Sequence, residues 1–277
     1  MTTQNQGNRA PDGARGGGKK PAARRPAGTP STSKEPVHRD QEHRTILINF
    51  VLDKSGSMDV IRDATISGFN EFLVDQQREG GEARMTLTLF DTRFFTVAEA
   101  VPVREIAPLD FETYAPGGCT ALYDAIGYTM RITDDYVAEH DPDQVLFVIM
   151  TDGMENASRE FDQHRIFQMI QDRQARAEYE FIYLGANQDA YAASERIGVA
   201  QDRALAWNAS PLEARETMRR VSHNVRSYRR DGDKQMVSDA FFSAEFEAAG
   251  AIEYDEHKRR KAQEERGSGD AAGASGS

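Results

Sequence analysis

Asp53, Ser55 and Ser57 put one carboxylate and two hydroxyls within five residues, immediately after the apolar run 46–52 (ILINFVL). Such a set is half of an oxygen-donor site for a hard cation, since Mg²⁺ takes oxygen ligands at about 2.1 Å in octahedral geometry. Two later segments hold a complement. Thr120 follows the pair Gly117-Gly118 and Cys119, and Asp152 follows a second apolar run, 145–150 (VLFVIM), and Thr151. Two carboxylates neutralise a divalent ion without excess, and hydroxyls are weak electron donors. An ion held this way stays electrophilic and keeps a coordination position for an outside ligand. No His/Cys cluster accompanies these residues, which argues against zinc.

These groups act together only if strands deliver them to one place. The 46–52 run predicts a strand buried on both faces, as a central parallel strand is, with Gly56 in the turn that leaves it. The 145–150 run predicts another. In an open α/β sheet ligands bind beyond the carboxyl ends of the strands, where both runs place their polar residues. Between them, the helical spacing of Ile61, Ala64, Ile66, Phe69, Phe72 and Leu73 predicts a crossover helix over 60–78, stopped by Gly80-Gly81. Alternation predicts strands at 84–90 and 94–103 joined as a hairpin across 91–93, with Asp91 a turn residue and Pro102 marking an edge. Thr120 is expected to cap a helix over 121–139, with Asp124 favourably placed near its amino end and Cys119 a small packing residue. A helix over 161–177, a strand over 179–184, a short helix over 190–197, a short strand over 204–207 and a closing helix over 211–228 complete the alternation. Asn187 and Asp189 fall at a strand tip on the same side, as rim or cap residues. Alternating strands and helices predict a doubly wound sheet.

In this order, Asp53-x-Ser55-x-Ser57 after the first strand, Thr120 in a central loop and Asp152 after a later strand resemble the von Willebrand factor A (vWA) domain with an intact metal-ion-dependent adhesion site. The resemblance covers about residues 44–230. It implies an α/β, Rossmann-like fold: a doubly wound, mainly parallel central sheet with one antiparallel edge strand and helices on both faces. It further implies Mg²⁺ or Mn²⁺ contacted by the hydroxyls of Ser55, Ser57 and Thr120, with Asp53 and Asp152 often acting through water. A partner protein's Asp or Glu then completes the shell, with no catalysis. Such modules often work beside an ATPase or within a multi-subunit complex, and the compact plan suggests a bacterial or phage member.

Composition bounds the remaining classes. The chain has 277 residues, net charge −11 and pI about 5.1, with a single cysteine, Cys119. Phosphate-seeking proteins are usually basic, so a specific nucleic-acid or membrane-surface binder is not expected. One cysteine allows no intrachain disulfide, and the amino-terminal stretch has no apolar core like a signal peptide's, so a cytoplasmic location is expected. Residues 1–43, basic and rich in Gly, Pro and Ala, are expected to be disordered. Residues 231–254 read as a carboxy-terminal extension packing on the domain through Phe241, Phe242 and Phe246, and 255–277 as a charged, Gly/Ser-rich flexible tail.

Two other classes share the same residues. Asp53 at a strand tip with Mg²⁺ resembles the haloacid dehalogenase-like phosphotransferases, in which a nucleophilic aspartate is followed two residues on by an acid/base aspartate. Here that second position is Ser55, which cannot serve as a carboxylic acid near neutral pH. A structural scaffold without a functional metal is the third class, and it would have no need of five oxygen donors in order.

Overall fold

A computed structural model describes residues 44–186 and 190–232. The expectations for the two tails, for Asn187 and Asp189 and for Phe241, Phe242 and Phe246 lie outside those residues. Six strands, β1 (Thr45–Asp53), β2 (Glu82–Phe90), β3 (Phe94–Pro102), β4 (Gln144–Thr151), β5 (Tyr179–Ala186) and β6 (Ala204–Trp207), form one sheet in the order β3-β2-β1-β4-β5-β6. All neighbouring pairs are parallel except β2–β3, the expected hairpin at the edge. Five helices, α1 (Arg62–Arg78), α2 (Leu122–His140), α3 (Gln163–Gln174), α4 (Ala190–Arg196) and α5 (Pro211–Asp231), cover its two faces.

The apolar run of β1 is explained by its central position. Ile46, Ile48, Phe50 and Leu52 belong to one core with residues of α1 and α5, while Val51 belongs to the opposite core with residues of α2 and α3. Phe50 meets Phe69 and Phe72 of α1 edge-on, with ring centroids 5.3 Å apart in both pairs. Such contacts add about 0.5–1.5 kcal/mol each beyond the area buried. The polar residues under α2 are paired across the same layer: the Thr129 hydroxyl donates to Thr88 and that of Thr133 to Asn49, both at 2.8 Å. These bonds fix how far α2 slides along β1 and β2, and so where its amino end lies relative to Asp53.

Several element boundaries differ from expectation by a few residues, two helix starts among them for reasons the side chains show. The first turn of the expected 60–78 helix is a 3₁₀ segment, Gly56–Ile61, in which Met58 and Ile61 both face the core. A three-residue repeat aligns those two side chains as an α-turn would not. α3 begins at Gln163 rather than 161, because the Asp162 side chain caps it by accepting the Arg165 N–H at 2.8 Å. α5 is bounded by Ser210 before Pro211 and by Gly232, whose φ of 68° suits a residue without Cβ and whose N–H reaches Tyr228 O. Buried Arg229 ties α5 to α1, donating to Gln76 O at 2.8 Å and Gly80 O at 2.9 Å, carbonyls at the end of α1. Desolvation pulls its pKa down to about 10, partly offset by Glu79. Among the described residues no helix is long and apolar enough to cross a membrane.

Gly127 of α2 is where the loop after β4 leans on a helix. A Cβ there would lie 2.5 Å from the ring of buried Phe161. Gly127→Ala is expected to destabilise the protein by about 1–3 kcal/mol through overpacking. An unchanged urea midpoint and slope would show that Phe161 yields without cost.

Candidate metal centre

β1 and β4 lie side by side with Leu52 opposite Met150, so Asp53 and Asp152 leave the same end of the sheet. Asp53 is wholly buried, with one carboxylate oxygen accepting the Ser55 N–H at 2.6 Å and the other the Thr151 hydroxyl at 2.5 Å. The Ser55 and Ser57 hydroxyls are 3.2 Å apart, and Ser57 donates to Asp152 Oδ1 at 2.7 Å. Thr120 joins them from the central loop: a Cβ built on Gly153 would lie 3.2 Å from Thr120 Oγ1 and 3.9 Å from Ser57 Oγ. The structure therefore brings all five residues to one strand-tip crevice.

The central loop is held there by its backbone. Gly117 N–H donates to Lys54 O at 2.9 Å and Gly56 N–H to Gly118 O at 3.2 Å, while the buried Tyr114 hydroxyl donates to Asp53 O at 2.6 Å. Gly118 has φ of 73°, and a Cβ on it would lie 2.6 Å from Thr92 Oγ1, so both conformation and space require glycine. Lys54 turns away from the site, pairing with Asp91 and lying over the Phe95 ring at 4.8 Å. Asp91 is the expected turn residue, accepting the Arg93 N–H at 2.9 Å.

Two local expectations are corrected, for Thr120 and Cys119. Thr120 does not cap α2. The cap position is Ala121 with no side-chain bond, and the free helix amides are taken from outside, Tyr123 N–H by Glu155 Oε2 and Asp124 N–H by Ser158 Oγ, both at 3.0 Å. That leaves the Thr120 hydroxyl to the crevice. Asp124 lies in the first turn of α2 as expected, and its carboxylate also accepts the N–H groups of Arg159, Glu160 and Phe161. Cys119 is exposed rather than packed, because its N–H holds Thr92 Oγ1 and the side chain is turned outward.

Glu155 and Asn156 carry roles that the sequence did not disclose. Asn156 Oδ1 accepts the Thr120 N–H at 2.9 Å, and Thr120 O accepts the N–H groups of Asn156 and Ala157 at 3.0 and 3.2 Å. The loop that carries Asp152 thus also sets the position of Thr120. The one signal was the polar run 152–158 itself; partners more than thirty residues away follow no spacing rule.

Electrostatics are unfavourable to the bare carboxylates. Desolvation by burial pushes Asp53 up to about 6, against the hydrogen bonds from Thr151 and Ser55, and the nearby Asp152 adds to the rise. Asp152 is raised as well, by desolvation opposed by the bond from Ser57. Among the described residues neither is ion-paired with a Lys, Arg or His side chain, nor does any group of three or more His, Cys, Asp or Glu gather here. The donor set of two carboxylates and three hydroxyls fits a hard divalent cation such as Mg²⁺ or Mn²⁺, whose charge would offset that desolvation.

Comparison with known proteins separates the fold from the family. No protein-family model matches the chain, and no curated protein does. Among solved structures, the von Willebrand factor domain of the type V pili tip protein Mfa5 from Porphyromonas gingivalis matches with a TM-score of 0.52. It is 10% identical over 69% of this chain and 98% of that one. The chain has the von Willebrand factor A fold. The pilus adhesin SpaC of Lactobacillus rhamnosus GG also shares it, at 12% identity and a TM-score of 0.53, over 66% of this chain and 30% of that one. Proximal thread matrix protein 1 of the mussel byssus aligns at 13% identity and a TM-score of 0.46, over 65% of this chain. This chain spans about half that protein's length, 46% of it.

In this setting of the vWA fold, Asp53 makes stability depend on pH with an unusual sign. Its folded-state pKa lies near 6, above the ordinary 3.8. The folded state therefore binds the extra proton, and the penalty, on the order of 3 kcal/mol, is complete above pH 6 and disappears as pH falls towards 4. With chelator present, wild type is expected to gain stability relative to Asp53→Asn between pH 7.5 and 4.5 in urea titrations. Parallel pH profiles for the two would show that Asp53 is not desolvated.

Proposed function

We propose that the protein is a divalent-metal-dependent protein-interaction module, in which Asp53, Ser55, Ser57, Thr120 and Asp152 form an intact adhesion-type metal site. The observation that carries this reading is the convergence at one strand tip of two buried, mutually repelling carboxylates with three hydroxyls, neither carboxylate being ion-paired with a Lys, Arg or His side chain among the described residues. Desolvated carboxylates are costly unless a positive charge joins them. That two solved examples of the fold are a pilus tip protein and a pilus adhesin accords with an interaction role.

Ser55, Ser57 and Thr120 would contact Mg²⁺ or Mn²⁺ through hydroxyl oxygens, and Asp53 and Asp152 would balance its charge. When bound, the ion supplies an electrophilic position that an Asp or Glu of a partner protein can fill. The chain's own residues do the rest: Thr151 and Ser55 orient Asp53, Asn156 fixes Thr120, and Tyr114 holds the central loop to the end of β1.

The same geometry disfavours phosphoryl transfer. Both oxygens of Asp53 are engaged within the fold and the residue has no exposed surface, so it is poorly placed to attack a phosphate. A scaffold role without metal leaves the repulsion between Asp53 and Asp152 unexplained.

Thermal and urea unfolding with Mg²⁺, Mn²⁺ or EDTA test the reading. At about a hundredfold excess over its dissociation constant, metal should add about 2.7 kcal/mol to wild type. Asp53→Asn and Asp152→Ala should lose that gain. Equal stability of wild type in metal and EDTA, or Mg²⁺-dependent phosphatase turnover abolished by Asp53→Asn, would sink it.

A further inference from the structure

Helix α5 turns the stripe Ala214, Met218, Val221, Val225 and Tyr228 to the core that it shares with α1. α1 runs along one flank of it, where the Ser222 hydroxyl donates to Asp75 at 2.7 Å and Arg229 to Gln76 O at 2.8 Å. At about 100° of turn per residue, Thr217 and Asn224 stand on the opposite flank and Ser227 further round, away from the sheet. All three are nonetheless buried, at 3%, 1% and 6% exposure. That flank looks towards β6, the last strand of the sheet, whose buried Leu205 and Trp207 belong to the same core. Flank and strand together make a trough with an apolar floor and a polar wall. Two of its side chains have hydrogen-bonding atoms that are buried and, among the described residues, unpartnered: Nε1 of Trp207 and both Oδ1 and Nδ2 of Asn224.

Burial on a flank that faces away from α1 means that more chain lies over it, and buried donors and acceptors are almost always paired. The floor asks for large apolar side chains and the wall for polar groups among them. Outside the described residues such side chains are concentrated in one place. Residues 1–43 have only Met1 and Val37, residues 187–189 and 255–277 have none, and 236–254 has seven, Phe241, Phe242 and Phe246 among them. Ser238 and Ser243 lie between, with hydroxyls that both donate and accept. Charge agrees: α5 carries six arginines against Glu213, Glu216 and Asp231, whereas 236–254 carries four acids and no Lys or Arg. Glu71, Glu79 and Glu216 meet part of that charge, while Arg226 forms no ion pair among the described residues. Reach is no obstacle, since α5 ends at Gly232 and Thr217 lies about 22 Å back along its axis, a span that 236–254 covers whether extended or helical.

We infer that residues 236–254 of this chain occupy the trough between α5 and β6. The phenylalanines cover Leu205 and Trp207, and polar groups of the segment pair with the Trp207 indole and the Asn224 amide. The surface is an intramolecular docking site that stands apart from the metal reading. α5 is held from both flanks, by α1 and by the segment that follows it.

Hydrogen exchange and Trp207 fluorescence on the full chain test this, Trp207 being its single tryptophan. Amides of 236–254 are expected to exchange at least about tenfold more slowly than in the urea-unfolded chain, equally at about 1 and about 50 µM protein. The variant Phe241→Ser/Phe242→Ser/Phe246→Ser should lose that protection, shift Trp207 emission to longer wavelength and raise its quenching by acrylamide, with β1 and β4 amides still protected. Asn224→Asp keeps the shape of the wall but sets a carboxylate against an acidic segment, and should weaken protection of 236–254 alone. Should the triple variant lose β1 and β4 protection as well, Asn224→Asp decides by the same readouts. Exchange of 236–254 at the unfolded rate in wild type overturns the inference. So does Trp207 emission unchanged in a folded triple variant, which puts the segment elsewhere, and so does protection that grows with concentration, which makes a second copy the occupant.

Discussion

A carboxylate with no surface in water, at the tip of a strand covered on both faces, is the constraint on which the rest of this structure depends. Placing Asp53 there demands that β1 be central, and a central parallel strand must be apolar on both sides. Residues 46–52 meet that demand with the single exception of Asn49, whose amide oxygen accepts the Thr133 hydroxyl and whose amide nitrogen donates to Leu146 O. It also demands that hydrogen-bond donors be within reach before any ligand arrives. Thr151 and the Ser55 N–H provide them, so the site is preformed while its charge stays uncompensated. The hydroxyl-rich makeup follows from the same constraint. A third carboxylate would deepen the repulsion in the bare state, whereas Ser55, Ser57 and Thr120 add donors without charge.

The fold was largely legible in the sequence because its signals are local. Apolar runs at 46–52 and 145–150, helical spacing from Ile61 to Leu73, and the turn at 91–93 each report burial along one element. The five donors were legible for a related reason, as each follows directly on a strand or a glycine pair. What escaped was what those short-range rules do not encode. Helix α2 begins without a capping side chain of its own because Glu155 and Ser158 arrive from across the crevice. Cys119 is exposed because the loop around it is fixed by its own N–H groups, which donate to the Thr92 hydroxyl and to Lys54 O, rather than by packing. The 3₁₀ turn that begins at Gly56 likewise reflects the joint burial of Met58 and Ile61, a three-residue repeat that α-helical periodicity does not contain.

The loop after β4 joins three tasks in a few residues. It carries Asp152, it exposes Met154, and through Glu155 and Asn156 it holds the start of α2 and the backbone of Thr120. Asp124 returns the constraint by gripping residues 159–161. A loop fastened at both ends to one helix moves with that helix or not at all. The placement of this loop therefore sets Asp152 and the backbone of Thr120 together, two of the five donors. The loop between Asp152 and Phe161 thus ties Asp152, the backbone of Thr120 and the start of α2 into one hydrogen-bonded unit, which is why it carries so many bonds to distant parts of the chain.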